Sequence, residues 1–182
     1  MPAKKQVTRE KIVREAFALV REGGMDALNV TALSKRLGCS TQPVYLSFRN
    51  MEELKREVLI KIGEFCNGYL LERVEGVPPY KAMGINYIRF AREEKHFFQE
   101  VFMKGGNGEL VSSATDNAIA LVQGGTGLTK DLSARLHAEI WLFVHGVATA
   151  LCTGYLELSD GQIGELLTDV YKGLTLRFEG GI

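Results

Sequence analysis

Residues 29–54 read NVTALSKRLGCSTQPVYLSFRNMEEL, and the order of apolar residues and turn formers in this stretch decides the fold. Asn29 offers a side-chain oxygen to cap a helix whose apolar positions Val30, Leu33 and Leu37 recur at spacings of three and four. Gly38 supplies the left-handed residue that stops it. A second helix is expected from Ser40, and two helices joined by so short a turn cannot lie antiparallel. They cross steeply, as a helix-turn-helix does. Ser40 is expected to cap through the N–H of Gln42, because Pro43, at the third helical position, has none to offer. Val44 and Phe48, four apart, face inward and leave Tyr45 outside. Thr41, Gln42 and Pro43 form a first turn of small or flat groups through which the backbone can approach DNA. Their hydroxyl and amide can bond base edges or phosphates, and the Tyr45 phenol can reach a phosphate oxygen.

Upstream, Thr8 caps a helix over 8–22 with Ile12, Val13, Ala16, Phe17 and Val20 as its inward stripe, and Gly23-Gly24 ends it. Residues 1–7 carry Lys4 and Lys5 without periodicity, as a basic arm that lies along DNA does, or equally a solvated tail. Downstream, a longer helix from Met51 keeps Leu54, Val58, Ile62, Phe65 and Tyr69 on one face and leads into the rest of the chain. The LSKRLGCS turn, Val44-Tyr45, Phe48, Asn50, Glu52 and Leu54, with helix 8–22 and Gly24 upstream, resemble the DNA-binding domain of the tetracycline-repressor (TetR) family of bacterial regulators. The likeness covers the residues up to 55 or so. Where that family usually has a lysine at the start of the fourth helix this chain has Met51, so Lys55 is the substitute candidate for the phosphate contact.

The resemblance implies an all-α chain with a three-helix DNA-binding domain over 1–50 and a helical effector-binding and dimerisation domain over 51–182. It implies a sequence-specific transcriptional regulator, a ligand-responsive repressor that binds a palindromic operator as a homodimer and answers to a small-molecule effector. The expected DNA contacts are Thr41, Gln42, Pro43 and Tyr45, with Ser40, Thr31, Lys35 and Lys55 on phosphates. The alternative from another class is a helical ligand-binding or adaptor protein without DNA binding, to which Met51 points.

Charge distribution fits a DNA reader joined to a second domain. The 182 residues carry no formal net charge, yet residues 1–60 hold eleven Lys/Arg against seven Asp/Glu, and residues 61–182 eleven against fifteen. A basic module is thus followed by an acidic one. Cys39, Cys66 and Cys152 are odd in number, widely spaced and set in apolar patterns, which reads as free thiols of a reducing compartment rather than a metal site or disulfide framework. No run of about 18 unbroken apolar residues appears, so no membrane segment is expected and the location is expected to be cytoplasmic. Glu93, Glu94 and His96 sit among Arg92 and Lys95 as a solvated cluster, and no GxSxG, HExxH or P-loop occurs, so the chain reads as no enzyme and needs no cofactor.

In the C-terminal part, helices are expected over 80–93, 95–103 and 116–123, with GGNG at 105–108 as a turn. Gly124-Gly125 and Gly127 are expected to end the third. Thr129 caps the longest periodic run, through Leu132, Leu136, Ile140, Phe143, Val147 and Leu151 to about Leu156, and Ser159-x-x-Gln162 is a capping box for a last helix. Both final helices are apolar around much of their circumference, and Gly146, Ala150 and Gly154 form a small-residue row that lets a partner helix approach. In TetR-like proteins the last two helices pair with their symmetry mates, which the resemblance implies for this homodimer. Trp141-x-x-x-His145-Gly146 also resembles a C-terminal signature of one TetR subclass. The aromatic residues Phe65, Tyr69, Tyr87, Phe90, Phe102 and Trp141, with Phe97 and Phe98, are candidates to line an effector cavity, to which Tyr69, Asn86, Tyr87 and His145 would add polar groups. At helical spacing the same residues also serve as plain core, and His145 also reads as a structural histidine bonded across the helix pair.

Overall fold

The structure is a computed structural model that describes residues 7–105 and 107–179, and among these it is helical throughout with no strand. The basic arm, apart from Val7, lies outside the described residues. Helix α1 (Arg9–Gly23) starts where the Thr8 hydroxyl accepts the Lys11 N–H at 3.3 Å, and it ends at Gly24, whose φ of 76° favours glycine. It buries Ile12, Val13, Ala16 and Val20. After a short 3-10 turn (Met25–Ala27), α2 (Val30–Leu37) is capped by the Asn29 side-chain oxygen, which accepts the Ala32 N–H at 2.9 Å. Gly38, with φ 67°, stops it.

Helix α3 (Gln42–Ser47) differs from expectation at its start. It begins at Gln42, its flanking residue Thr41 is already in right-handed helical conformation, and no side chain caps it. Ser40 is therefore not the cap, and Pro43 is the second helical residue rather than the third. The first turn instead closes on the Thr41 carbonyl, which accepts N–H groups from Val44 (3.1 Å) and Tyr45 (3.3 Å). A proline in the first turn wastes no hydrogen bond, so the turn holds without a capping side chain.

Helix α4 (Met51–Leu70), capped by Asn50, serves two cores. Leu54 and Val58 close the N-terminal bundle, whereas Ile62, Cys66 and Leu70 are buried further along. Arg9 clamps the bundle: its guanidinium donates to the Ser47 carbonyl and to Glu53 and Glu57 on α4, and lies 4.1 Å from the Phe48 ring centre.

The C-terminal helices are α5 (Pro79–Glu93), α6 (Lys95–Phe98), α7 (Ser112–Thr126), α8 (Lys130–Thr153) and α9 (Asp160–Glu179). Helix α6 runs on into a π-helical turn, Gln99–Met103, and a 3-10 turn spans Gly108–Val111. Helix α7 is longer than the expected 116–123 at both ends. Its first turn is capped from a distance, because the Asn67 side-chain oxygen on α4 accepts from the Ser113 hydroxyl (3.0 Å) and the Ala114 N–H (3.3 Å). Gly124 and Gly125 remain helical, and only Gly127, with φ 71°, ends it. Thr129 caps α8, Gly154 ends it with φ 75°, and Ser159 and Gln162 exchange the two bonds of a capping box before α9.

Helix α8 packs on α5, α7 and α9. By length and composition it is apolar enough to cross a membrane. Its apolar residues divide between the core (Leu136, Ile140, Val144, Ala148) and an open side (Leu132, Leu142). The two parts of the chain meet where α1 lies on α6. The Phe17 and Phe97 rings pack at 4.7 Å, Arg21 donates to the buried Glu94 carboxylate (2.8 Å from Nε), and the Met25 N–H reaches the Glu100 carboxylate at 3.3 Å.

Burial also sets thiol reactivity. Cys66 is fully buried and its thiol is pushed up to about 12, whereas Cys39 is half-buried. Only the thiolate is a nucleophile. With iodoacetamide at pH 8, mass spectrometry should find Cys39 alkylated in the native protein and Cys66 only after denaturation; native labelling of Cys66 at a matching rate would show α4 opening locally.

Candidate nucleic-acid interface and ligand cavity

The turn between α2 and α3 presents Thr31, Lys35, Ser40, Thr41, Gln42 and Tyr45 to solvent, while Pro43 is half-buried. Val44 and Phe48 are buried beneath, so the helix face is fixed and Tyr45 stands out, 56% exposed. Beside it Leu46 is 79% exposed, an apolar group on the outer surface that sequence reasoning missed. Its signal was positional: residue 46 falls off the 44/48 pair that holds the helix down. Such a side chain suits contact with a thymine methyl.

Charges on this domain are partly spent within it. Arg9 is taken by Glu53 and Glu57, Arg36 by Glu15 and Glu22, and Arg14 by Glu15. Lys55 donates to Glu52 at 3.1 Å. An exposed pair of that kind stabilises by about 0–1 kcal/mol, too little to hold Lys55 from a phosphate. Among the described residues, Lys11, Lys35, Arg49 and Arg56 form no ion pair.

The second candidate site is a cavity of about 620 Å³ lined mainly by α5, α7, α8, α9 and the turns between α6 and α7, within the usual size of small-molecule sites. Of the expected lining residues, Tyr87, Phe102 and Trp141 face it, together with Met83, Val101, Val111, Ile140, Val144 and Leu167. His145 stands one layer behind: its Nδ1 is 2.9 Å from the Tyr87 hydroxyl, and its ring stacks on Trp141 at 5.0 Å. The cavity does not reach Phe65, Tyr69 or Phe90. Phe65 packs on Phe17 and Phe97 at the junction of the two parts, and Phe90 is wholly buried against Tyr69 at 5.3 Å. The Tyr69 hydroxyl donates to Glu93 at 2.6 Å. Asn86 is also structural, donating its amide to the Glu72 carbonyl at 2.8 Å.

A second Tyr–His pair was overlooked in the sequence: the Tyr80 hydroxyl lies 2.9 Å from His137 Nδ1 at the cavity wall. Tyr80 and Tyr87 are two helical turns apart on α5, as are His137 and His145 on α8. Matching spacings on the two helices were the available signal, but only their parallel packing brings the pairs into register. Burial lowers both histidines from their ordinary value and raises both tyrosines, so the partners are neutral.

Residues 12–58 match the sequence model of the family described as bacterial regulatory proteins, tetR family. A search of curated proteins found no significant match. Among solved structures, a protein of unknown function from Rhodococcus sp. RHA1 is similar at 17% identity and a TM-score of 0.76, over 96% of this chain and 99% of that one. A transcriptional regulator from the same organism is similar at 18% identity and a TM-score of 0.62, over 92% and 95%. The fatty acid degradation regulator FadR from Bacillus halodurans is similar at 13% identity and a TM-score of 0.60, over 96% and 97%. At these identities the likeness is one of fold, and it extends over both parts of the chain. The match of residues 12–58 to that family model, together with the helix-turn-helix geometry inside it, identifies the N-terminal domain as one of the tetR type.

Proposed function

We propose that the protein is a ligand-responsive transcriptional repressor that binds a palindromic operator as a homodimer in the cytoplasm. The observation that carries this reading is the outward face of α3, where Thr41, Gln42 and Tyr45 project from a tight turn held down by Val44 and Phe48. Thr41, Gln42 and Tyr45 read the major groove, Pro43 keeps the first turn close to it, and Thr31, Lys35, Ser40 and Lys55 meet phosphates. Two such helices must enter successive major grooves, about 34–36 Å apart, which requires a dimer.

The last two helices form the dimer interface. Leu142 on α8 and Leu176 on α9 are 63% and 69% exposed, and Gly146 has open space above it, so a partner helix can come close. The effector occupies the cavity walled by Tyr87, Phe102 and Trp141, with His145 behind Tyr87. A ligand that prefers a conformer with the wrong spacing of reading helices lowers operator affinity by that difference alone.

The test is selection from a random duplex library at near-physiological salt, with Tyr45→Ala as control. A palindromic motif that the control loses is the expected outcome. Gln42→Ala should change base preference at one position of each half-site, whereas Lys55→Ala should weaken all sequences alike and flatten the salt slope. Absence of any motif at low and moderate salt would sink the DNA-binding reading and leave a helical ligand-binding protein.

A further inference from the structure

We propose that the cavity takes an amphipathic anion, an apolar body carrying one carboxylate or similarly charged head, with the head held by Lys81 and Lys172 at the α5–α9 end. This rests on the reading of the cavity as the effector site and names the chemical class it selects. Among the described residues, three lysines line the cavity (Lys81, Lys104 and Lys172) and no carboxylate does.

The three are not equivalent. Lys104 is already paired with the buried Glu100 at 2.7 Å. Lys81 has no ion-pair partner among the described residues; its ammonium donates to the Thr168 hydroxyl at 2.7 Å, and Thr168 passes its own hydrogen to the Gly164 carbonyl at 2.8 Å. Two of the three ammonium donors are thereby left for a ligand. Lys172 lies one turn beyond Thr168 on α9 and is likewise unpaired among the described residues. Lys81 and Thr168 also border a second groove lined by Asp160, Glu165 and Asp169, but none of these carboxylates lines the cavity or pairs with Lys81 among the described residues.

The other end of the cavity is apolar apart from Thr115 and Lys104, the latter already held by Glu100. Tyr87, six residues along α5 from Lys81, packs its ring on Phe102 at 4.7 Å, and Val101, Ile140 and Val144 continue that wall. A charged head at Lys81 and an apolar body reaching Phe102 therefore span about 10 Å of α5. A neutral ligand would leave the two ammonium groups with water, and a cation would be repelled by them.

Trp141 is the single tryptophan and lines the cavity, so its fluorescence reports occupancy directly. We would titrate the full chain with dodecanoate, dodecanol and dodecylamine. The expected result is saturable binding of dodecanoate, about tenfold or more tighter than dodecanol or dodecylamine. The double variant Lys81→Met, Lys172→Met should lose that preference while binding dodecanol as before, which also shows that it is folded. Equal affinity for acid and alcohol, a preference that survives in the variant, or no saturable change with any of the three overturns the proposal. Operator release separates it from the regulator reading. Dodecanol that binds equally well and releases operator defeats the proposal alone, whereas dodecanoate that binds with the expected preference but leaves the operator complex intact defeats the ligand-responsive reading alone.

Discussion

Phe90→Ala is expected to destabilise the protein by about 3–5 kcal/mol, the usual cost of emptying a fully buried phenylalanine site. The side chain has no exposure and packs at 5.3 Å on Tyr69, 6.2 Å on Phe65 and 6.5 Å on Phe102. These neighbours come from α4 and the π-helical turn, so the void cannot be filled by one side chain swinging in. For a chain of this length the melting temperature should fall by roughly 6–20 °C. Urea unfolding should show a lower midpoint with unchanged slope, since the surface exposed on unfolding hardly changes. A loss below about 1 kcal/mol would mean that this wall is compliant and that the cavity can extend to Phe90.

Leu142→Glu with Leu176→Glu should convert the proposed homodimer to a monomer and lower affinity for the proposed operator by about 10²–10⁴, the gain that linking two half-site readers provides. Glu139 on α8 is bonded to Arg177 on α9, so residues 142 and 176 each lie within one helical turn of the same cross-link. Their exposure means that glutamate there costs the isolated chain little. Sedimentation would read the assembly state, circular dichroism the fold, and binding to a full and a half operator the loss of linkage. A variant that stays dimeric would place the interface on another face.

Much of the N-terminal domain was legible in the chain. Thr8, Asn29 and Gly38 act on backbone groups within four residues of themselves, and local bonds of that kind do not depend on the rest of the molecule. The one misread terminus, at α3, also has a local cause: Ser40 was a plausible cap, but the turn closed on the Thr41 carbonyl first. The outward position of Tyr45 followed from the inward pair Val44 and Phe48, because helical spacing fixes directions once one face is known.

The C-terminal site was less legible, and the aromatic residues show why. Phe65, Phe90, Phe102 and Trp141 all recur at helical spacing, which identifies a residue as inward but not what it meets. Only the docking of α1 on α6 spends Phe65 and Phe97 on the junction, and only the parallel packing of α5 and α8 puts Tyr87 and Trp141 around empty space. Likewise, α7 starts early because Asn67, far away in sequence, caps it. The sequence alone determined most of the helices, the local caps at Thr8, Asn29, Thr129 and Ser159, the helix-turn-helix and the outward place of Tyr45, since these rest on bonds and periodicities a few residues long. The tertiary structure decided where the cavity lies, which lysines remain unpaired at it and which apolar faces stay open, because those depend on contacts between residues tens of positions apart that no local pattern encodes.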